Sequence, residues 1–343
     1  MTSHHPDPTL HQDPRPAAST SSYDVVVIGG GAGGLSTALT LGRALRSVLV
    51  VDSGQPRNAP AAEAHNYLTR DGVAPLELLR LGRADVEKYG NAVVSDEVSS
   101  ARAEGDGFVV TLAAGGDVSA RRLVVATGLR DELPEIDGLA EHWGTGVLHC
   151  PYCHGYEVRG RRVAVIGVGP ASALQALMWS QWTDHLTYVE HDAPLDNAQR
   201  EQLEALGVTV VTARAVAVAG DGTRLNGIHA DDGSTVAVSA VVVGAPVSAR
   251  LDGLEGLGLV ARSWDMMGVS MGTHLPTDAM GATEVAGVWA VGNVTDPVAQ
   301  VITAAASGAR VAAMVNMSLI TADADAAVAA LRELRATRSD AAV

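Results

Sequence analysis

Residues 23–46 of the chain, YDVVVIGGGAGGLSTALTLGRALR, decide the fold. The first six residues are a nearly unbroken apolar and β-branched run, which predicts a buried strand. A glycine-rich turn follows at once, and the apolar residues after it recur at helical intervals. A second short strand over residues 47–51 ends at Asp52. The segment therefore predicts a strand, a tight turn, a helix and a parallel strand.

The glycines of this turn stand in G-x-G-x-x-G spacing at Gly29, Gly31 and Gly34. The first permits a tight turn, the second lets a pyrophosphate approach the backbone, and the third lets helix and strand pack closely. Asp52, 18 residues beyond Gly34, is positioned to accept hydrogen bonds from a ribose. A glycine turn without a ligand is the alternative, but the strand, helix and acid together favour a dinucleotide site.

A weaker copy of the same unit begins 138 residues later, with Gly167 and Gly169 after a strand. Ser172 takes the third glycine position, and Pro170 removes a backbone donor. The next strand ends at Glu190, whose carboxylate suits a ribose 2′-hydroxyl and repels a 2′-phosphate. If a nicotinamide cofactor binds here, NADH is favoured over NADPH. A domain that keeps the fold but binds no dinucleotide productively is the open alternative.

Composition excludes several classes of protein. The 343 residues suit two domains, and 39 acidic against 24 basic side chains give a net charge of −15. This balance argues against nucleic acid or an anionic membrane as a partner, since both require a basic field. Residues 1–22 lack the apolar core of a signal peptide, and no stretch approaches the roughly 18 uncharged apolar residues of a membrane span. We expect a cytoplasmic protein with a disordered arm at 1–22.

Both cysteines lie in one motif, HCPYCH, over residues 149–154. A Cys-x-x-Cys turn brings two sulfurs within bonding distance, and a low thiol pKa there makes one sulfur a nucleophile. Zinc would need both flanking histidines, which adjoin the cysteines and are poorly placed to complete a tetrahedron. The motif therefore predicts a cycling disulfide and no metal site, with zinc or two inert thiols as the alternatives.

These segments resemble the low-molecular-weight thioredoxin reductase family of FAD-dependent disulfide oxidoreductases. The likeness covers nearly the whole chain after Tyr23 and is carried by VVVIGGGAGGLSTAL, VVATG at 124–128, CPYCHGYE at 150–157, VIGVG at 165–169 and AVGNVTDPVAQVITAAASG at 290–308. It implies an α/β fold of two Rossmann-like three-layer domains, the second inserted in the first, and a homodimer. The expected boundaries are 23–132 and 266–320 for the FAD-binding domain, 133–265 for the NAD(P)-binding-like domain with the cysteines, and 321–343 for a C-terminal helical tail.

The resemblance also assigns site residues. The FAD-binding set that it implies is Gly29, Gly31, Gly34, Asp52, Asn66, Gly128, Gly292, Asn293, Gln300 and Val301. Asn293 stands where the family has an aspartate that holds the ribityl chain, and an amide oxygen still accepts from a hydroxyl. The helix beginning at Gln300 faces the flavin, where a helix N-terminus stabilises the reduced anionic form. The corresponding NAD(H) positions are Gly167, Gly169, Ser172 and Glu190.

Three departures distinguish the chain from thioredoxin reductases. His154 stands where the family has an acid directly after the second cysteine. An acidic run at Glu190 stands where the family has an arginine-rich run. The family's second glycine loop is also more open than this one, which contains Pro170. These features resemble the FAD-dependent dithiol oxidases of the gliotoxin and holomycin type, which close disulfides in sulfur-containing natural products and return electrons to oxygen. In that branch the nicotinamide site is unused.

The expected reaction is therefore oxidation of a dithiol through Cys150 and Cys153, with Cys150 towards the substrate and Cys153 towards the flavin by family analogy. His154, and secondarily His149, would accept protons and stabilise a thiolate. The partner would be a small-molecule dithiol or a small redox protein. The alternatives are an NAD(P)H-dependent thioredoxin-disulfide reductase running in the opposite direction and a redox-sensing flavoprotein.

Overall fold

The structure is a computed structural model that describes residues 21–221, 224–266 and 268–340. The first strand begins at Ser21 and pairs there with Val118, so the strand is longer than the sequence pattern predicts. Two residues of the expected N-terminal arm thus belong to the sheet. The rest of that arm, residues 1–20, lies outside the described residues.

The helices and strands follow in chain order. The first group is β1 (Ser21–Ile28), α1 (Ala32–Arg43), β2 (Val48–Asp52), α2 (Pro75–Glu87), β3 (Ala92–Ser95), β4 (Val98–Glu104), β5 (Gly107–Leu112) and β6 (Asp117–Val125). The second group is β7 (Leu129–Asp131), β8 (Val147–Leu148), α3 (Pro151–His154), β9 (Val163–Ile166), α4 (Ser172–Trp179), β10 (Leu186–Val189), α5 (Asn197–Ala205), β11 (Thr209–Val211), β12 (Ala215–Gly220), β13 (Leu225–Ala230), β14 (Thr235–Val236), β15 (Ala240–Val243) and β16 (Val247–Ala249). The last group is β17 (Arg262–Met266), β18 (Val269–His274), β19 (Val288–Ala290) and α6 (Val301–Asp340).

The first sheet has the order β3-β2-β1-β6-β5-β4, and β19 adds to the carboxyl half of β6. Strand β1 lies parallel to both β2 and β6, and its residues 25–28 are almost fully buried. Burial on both faces explains the continuous apolar run in this strand. The glycine turn after β1 therefore lies at the carboxyl edge of the sheet, between two parallel neighbours, where α/β proteins bind nucleotides.

The second sheet consists of five parallel strands in the order β11-β10-β9-β15-β8. A three-stranded antiparallel sheet, β12-β13-β14, shares one apolar core with it, and α4 packs in the core on the other face. The turn after β9 thus repeats the position of the turn after β1. The α/β prediction with two parallel nucleotide-binding-type sheets is confirmed.

The connection between the two sheets differs from the expected boundary at 265/266. Leu254 and Leu257 are buried in the core of the first sheet, and β17 ends at Met266 itself. β17 and β18 join β16 and β7 in a four-stranded sheet. The chain therefore returns to the first core before residue 266, because the apolar pair Leu254 and Leu257 fills it.

Helix α6 runs unbroken through the expected break at residue 320. Val311, Ala312, Val315 and Leu319 are buried in the core that also holds α1, whereas the helix beyond residue 322 is exposed. By length and composition alone Val301–Arg338 could also cross a membrane, with a mean hydropathy of 1.3. One such helix is weak evidence, because a core helix passes the same criteria. The expected absence of a membrane partner stays a prediction.

Candidate active site

The first glycine loop is shaped by contacts that leave no room for side chains. A Cβ on Gly34 would lie 2.0 Å from the carbonyl oxygen of Gly29, and one on Gly29, whose φ is +109°, would lie 2.3 Å from that of Ala126. A Cβ on Gly31, in contrast, would meet no atom within 4 Å. Helix α1 begins here without a side-chain cap, so its first N–H groups are available to an anion.

Asp52 holds this loop in place. Its Oδ1 accepts a hydrogen bond of 3.0 Å from the N–H of Gly30, and its Oδ2 pairs with Arg83 of α2. The carboxylate is 8% exposed and lies at the wall of the large cavity described below. The acid that is expected to contact the ribose therefore lies at the cavity. Its partner Arg83 was not indicated by any sequence pattern.

The opposite wall comes from the end of the first domain. Gly128, Gly292, Asn293, Gln300 and Val301 all line the same cavity. The Nδ2 of Asn293 donates to carbonyl oxygens in the turn before α6, at 2.9 Å for Ala299, so the amide orders the start of that helix. The donor set, the open space at Gly31 and the uncapped helix fit the diphosphate and flavin of FAD.

Two members of the expected FAD set, Gly34 and Asn66, do not line the cavity, and Asn66 makes a contact of another kind. Its φ is +63°, and its Nδ2 donates a hydrogen bond of 2.9 Å to the carbonyl oxygen of Tyr152, between the two cysteines. It is not among the residues that line the cavity, whereas Asn58 is. Asn66 therefore holds the cysteine segment against the first domain. Its expected cofactor contact stays a prediction, and its side-chain amide is directed to that carbonyl.

Cys150 and Cys153 form a disulfide, with 5.3 Å between their Cα atoms. The segment forms the short helix α3, in which the N–H groups of Cys153 and His154 both donate to the carbonyl oxygen of Cys150 at 3.2 Å. Both cysteines face a cavity of about 940 Å³ that also contains the first glycine loop. The fold thus brings the expected redox pair and the expected FAD residues into one space.

His149 is held neutral beside the disulfide. Its Nε2 lies 3.5 Å from Nη2 of Arg57, which also pairs with Asp131, and its ring stacks on Trp143 at 5.8 Å between centroids. Burial, and then the charge of Arg57, lower the pKa of His149 to about 4. Near neutral pH its free nitrogen therefore faces a guanidinium.

His154 is partly buried on the other side of the pair. Burial lowers its pKa below 6.5, and the charge of His65 acts in the same direction, while that of Glu157 opposes it. His154 is therefore neutral near pH 7 and able to accept a proton.

His65, to which sequence analysis gives no role, lines the same cavity. Its Nε2 lies 3.4 Å from a carboxylate oxygen of Glu63 and 3.5 Å from one of Glu157, and its Nδ1 lies 3.4 Å from one of Asp71. Glu63 and Asp71 are near His65 in the sequence, whereas Glu157 comes from the segment after the cysteines, so the full set forms only in the folded chain.

In the second glycine loop, backbone N–H groups are bonded to a side chain of the helix that follows the loop. The N–H groups of Val168 and Gly169 donate to Oγ of Ser172 at 3.1 and 3.2 Å. Pro170 has no N–H to offer. These donors are the ones that a pyrophosphate would use, so the residues present do not fit a bound dinucleotide.

Glu190 is likewise engaged within the protein. Its Oε1 accepts from Arg200 at 2.5 Å and from the N–H of Leu195 at 3.1 Å, and the residue is 6% exposed. The expected NAD(H) positions, Gly167, Gly169, Ser172 and Glu190, are all absent from the lining of the large cavity. Within residues 21–221, 224–266 and 268–340, no group of three or more His, Cys, Asp or Glu side chains is suited to a metal ion.

Comparison with known proteins agrees with this geometry. Residues 23–309 match the family described as pyridine nucleotide-disulphide oxidoreductase. Thioredoxin reductase sirT from Leptosphaeria maculans is 30% identical over 90% of this chain and 97% of its own length.

Two solved structures share the fold at higher identity. The crystal structure of HlmI is 43% identical with a TM-score of 0.84, covering 90% of this chain and 96% of that one. An oxidoreductase from Agrobacterium tumefaciens is 35% identical with a TM-score of 0.81, covering 88% and 99%. Together with the matched family and the disulfide beside the first glycine loop, these likenesses confirm the resemblance: the chain is a thioredoxin reductase-like enzyme and belongs to the pyridine nucleotide-disulphide oxidoreductase family.

Proposed function

We propose that the protein is an FAD-dependent dithiol oxidase, which converts a substrate dithiol into a disulfide through Cys150 and Cys153. One observation carries the proposal: the disulfide shares a cavity with the open glycine loop, whereas the second glycine loop is capped by Ser172. The family implies FAD and a nicotinamide cofactor. Electrons then enter from a dithiol, because two N–H groups of the loop that would bind NAD(P)H, those of Val168 and Gly169, are already bonded to Ser172.

The charges around the second loop support the same direction. Glu190 pairs with Arg200, and Asp192 pairs with Arg214. Each arginine near the end of β10 is thus already neutralised by an acid, and none is left to bind a 2′-phosphate. A dinucleotide would have to displace these pairs and the Ser172 hydroxyl together.

The chemistry begins with proton transfer to His154. A substrate thiol gives up its proton, and its thiolate attacks Sγ of one cysteine, which by family analogy is Cys150. The Cys150–Cys153 bond breaks and Cys153 leaves as a thiolate. The second substrate thiol then attacks the substrate sulfur of the mixed disulfide, releasing the cyclic disulfide and Cys150. Substrate loses two electrons and two protons, and the cysteine pair gains two electrons.

The first-domain residues of the cavity, the loop at Gly29 and Gly31 and the start of α6 at Gln300 and Val301, would hold FAD, which would supply a two-electron acceptor for the reduced cysteine pair and a donor to oxygen. Near neutral pH we assign proton acceptance to His154 and not to His149. The Nε2 of His149 faces the Arg57 cation at 3.5 Å, which disfavours its protonation. Arg57 and His149 instead present polar groups that orient the segment next to Cys150.

Oxygen uptake with dithiothreitol tests the proposal. Wild-type protein should consume dithiol and oxygen in equal amounts, without NADH or NADPH. Cys150→Ser and Cys153→Ser should each lower turnover by about 1,000-fold or more, because without the Cys150–Cys153 bond the substrate thiolate has no disulfide to attack. The exposed Tyr156→Phe, in the same segment, is the matched control and should turn over normally. Full turnover by the Cys150→Ser, Cys153→Ser double variant would contradict the proposal.

A thioredoxin-disulfide reductase is the second candidate, and the name of the relative sirT favours it. Tyr152, between the cysteines, is 60% exposed, which would let a protein disulfide approach. This candidate requires that NADH or NADPH reduces the flavin at a rate sufficient for turnover. It becomes the better one if a thioredoxin is reduced with NADPH and dithiols are not oxidised.

A further inference from the structure

The peptide group between Tyr152 and Cys153 is hydrogen-bonded on both sides. Its carbonyl oxygen, which belongs to Tyr152, accepts a hydrogen bond of 2.9 Å from Nδ2 of Asn66 in the first domain. Its N–H, which belongs to Cys153, donates to the carbonyl oxygen of Cys150 at 3.2 Å. Because this peptide is bonded directly to the Cα of Cys153, the contact with Asn66 helps to fix where that cysteine lies.

His65, the residue before Asn66, contacts the end of the same segment. Nε2 of His65 is buried and lies 3.5 Å from Oε1 of Glu157, at ion-pair distance when the imidazole is protonated. Cys153 and His154 lie between the two contacts in the sequence. Two consecutive residues of the first domain therefore hold the redox segment on both sides of its second cysteine.

Asp71 contacts both of these residues. Its Oδ1 accepts a hydrogen bond of 2.8 Å from the N–H of Asn66 and lies 3.4 Å from Nδ1 of His65. The hydrogen bond from Asn66, and then the contact with His65, lower the pKa of Asp71, so its carboxylate is charged near neutral pH. One carboxylate thus orients both contacts with the redox segment.

The loop that carries these residues has an uncommon backbone. Asn66 and Thr69 have φ values of +63° and +75°, in the left-handed region that favours glycine. The loop is closed at its base, where the N–H of Ala64 donates to the carbonyl oxygen of Val73 at 2.8 Å. Non-glycine residues persist in this conformation where surrounding contacts hold them, and such residues cluster at functional sites.

We propose that three residues position Cys153 for electron exchange with the flavin: His65, Asn66 and Asp71. The inference deepens the proposed function, on which it rests. It concerns the step in which the reduced cysteine pair gives two electrons to FAD and returns to the disulfide. Asn66 acts through a peptide carbonyl, so its role requires no contact with the cofactor. Opening of the disulfide by a dithiol, in contrast, depends on access to Cys150 and not on these positioning residues.

Hydrogen exchange of the backbone amides of residues 150–157 tests the positioning in the apoprotein. Asn66→Asp keeps the side-chain shape and tolerates the left-handed backbone, but its carboxylate cannot donate to the Tyr152 carbonyl. Exchange in this segment should be about fivefold faster than in wild type, the value of one exposed hydrogen bond. Asp71→Ala, which removes the shared partner, should exchange at least as fast as Asn66→Asp. Leu68→Ala, at an exposed position of the same loop, is the matched control and should exchange as wild type does.

Two rates then separate the steps of the reaction. In Asn66→Asp, anaerobic flavin reduction by dithiothreitol should be at least about tenfold slower than in wild type, because Cys153 is misplaced. The rate at which dithiothreitol opens the disulfide of the apoprotein, followed by alkylation of the freed thiols, should stay within about twofold. Leu68→Ala should match wild type in both rates.

Three results would overturn the inference. Unchanged amide exchange in Asn66→Asp would show that the contact does not hold the segment, and weaker FAD binding in that variant would then make Asn66 a cofactor-binding residue. Equal slowing of disulfide opening and flavin reduction would mean that the loop supports the segment as a whole. An unchanged rate of flavin reduction would remove the link to electron transfer. Failure of wild type to oxidise any dithiol would remove the proposed function, whereas faster exchange in Asn66→Asp would still establish the positioning contact.

Discussion

The two glycine loops of this protein occupy the same place in similar folds and differ in what their N–H groups bind. After β1, the third glycine position is Gly34, which has no side chain that could accept from the loop. After β9, Ser172 accepts from both Val168 and Gly169. The same strand–turn–helix unit therefore has a hydroxyl bonded to its loop N–H groups in the second domain and none at the matching position of the first. A single hydroxyl at the third glycine position accounts for much of the difference.

This comparison separates what the fold requires from what nucleotide binding requires. Fold depends on the parallel strands and their apolar faces, which both domains retain. Binding depends on free donors at one turn. The second domain contributes its disulfide segment to the shared cavity, and its glycine loop lies outside.

The largest expected effect comes from matched substitutions of the middle glycine in each loop. A Cβ at Gly31 or at Gly169 would meet nothing within 4 Å, so valine is tolerated by the protein in both places. Gly31→Val should weaken FAD binding by at least about 100-fold, because the side chain fills the space for the diphosphate. Gly169→Val should leave it within about twofold. Titration of the apoprotein with FAD measures both, and equal effects at the two positions would break the comparison.

The next largest expected effect is on dithiol oxidation, when His154, the proposed proton acceptor, is replaced. His154→Gln should lower kcat/KM for dithiothreitol by about 100-fold. Because burial lowers the pKa of His154 below 6.5, wild-type activity should fall as the pH drops through that lowered pKa, and the variant should lack this limb. The exposed His185→Gln is the control and should keep the wild-type profile. A profile unchanged in His154→Gln would assign the proton to another group.

His149 should make stability depend on pH. Its pKa is about 4 in the folded protein and near 6.5 when unfolded, so the unfolded chain binds the extra proton between these values. Stability should therefore be full above pH 6.5 and decrease as the pH falls towards 4. At pH 5 the loss is about 2 kcal/mol, or about 30-fold in the unfolding constant. Urea unfolding at pH 7 and pH 5 should show this extra loss in wild type and not in His149→Gln.

The smallest effect sharpens the comparison itself. Ser172→Ala frees the N–H groups of Val168 and Gly169, and we expect flavin reduction by NADH to rise about fivefold, with Pro170 still limiting the loop. Ser180→Ala, whose hydroxyl donates to Leu177 at the end of the same helix, should not change this rate. No increase in Ser172→Ala would mean that the hydroxyl does not close the site.

Local patterns predict the fold well, because the strand runs and glycine turns act through near neighbours. Gly29, Gly31 and Gly34 lie as the motif requires, and the cysteine pair forms the disulfide that its spacing indicates. Local patterns do not indicate that Leu254 and Leu257, before the expected boundary at 266, pack in the first core, because that core is formed by residues far away in the sequence.

The sequence does not indicate in which direction a side chain points or which group it binds. Asn66 matches a family position, yet it binds the carbonyl of Tyr152 across the domain junction. Glu190 follows the predicted strand, yet its carboxylate pairs with Arg200 from the next helix. The motif reveals Ser172 as a departure, but only the structure shows that its hydroxyl caps two N–H groups. Tertiary contacts decide each of these.

The most direct test of the account is anaerobic mixing of the FAD-loaded protein with either dithiothreitol or NADH, followed by flavin absorbance. We predict that the dithiol bleaches the flavin at the rate of turnover, that NADH and NADPH are at least about 100-fold slower, and that Cys150→Ser is not bleached by the dithiol. Rapid bleaching by NADH or NADPH together with slow bleaching by the dithiol would contradict the account and make the protein a reductase.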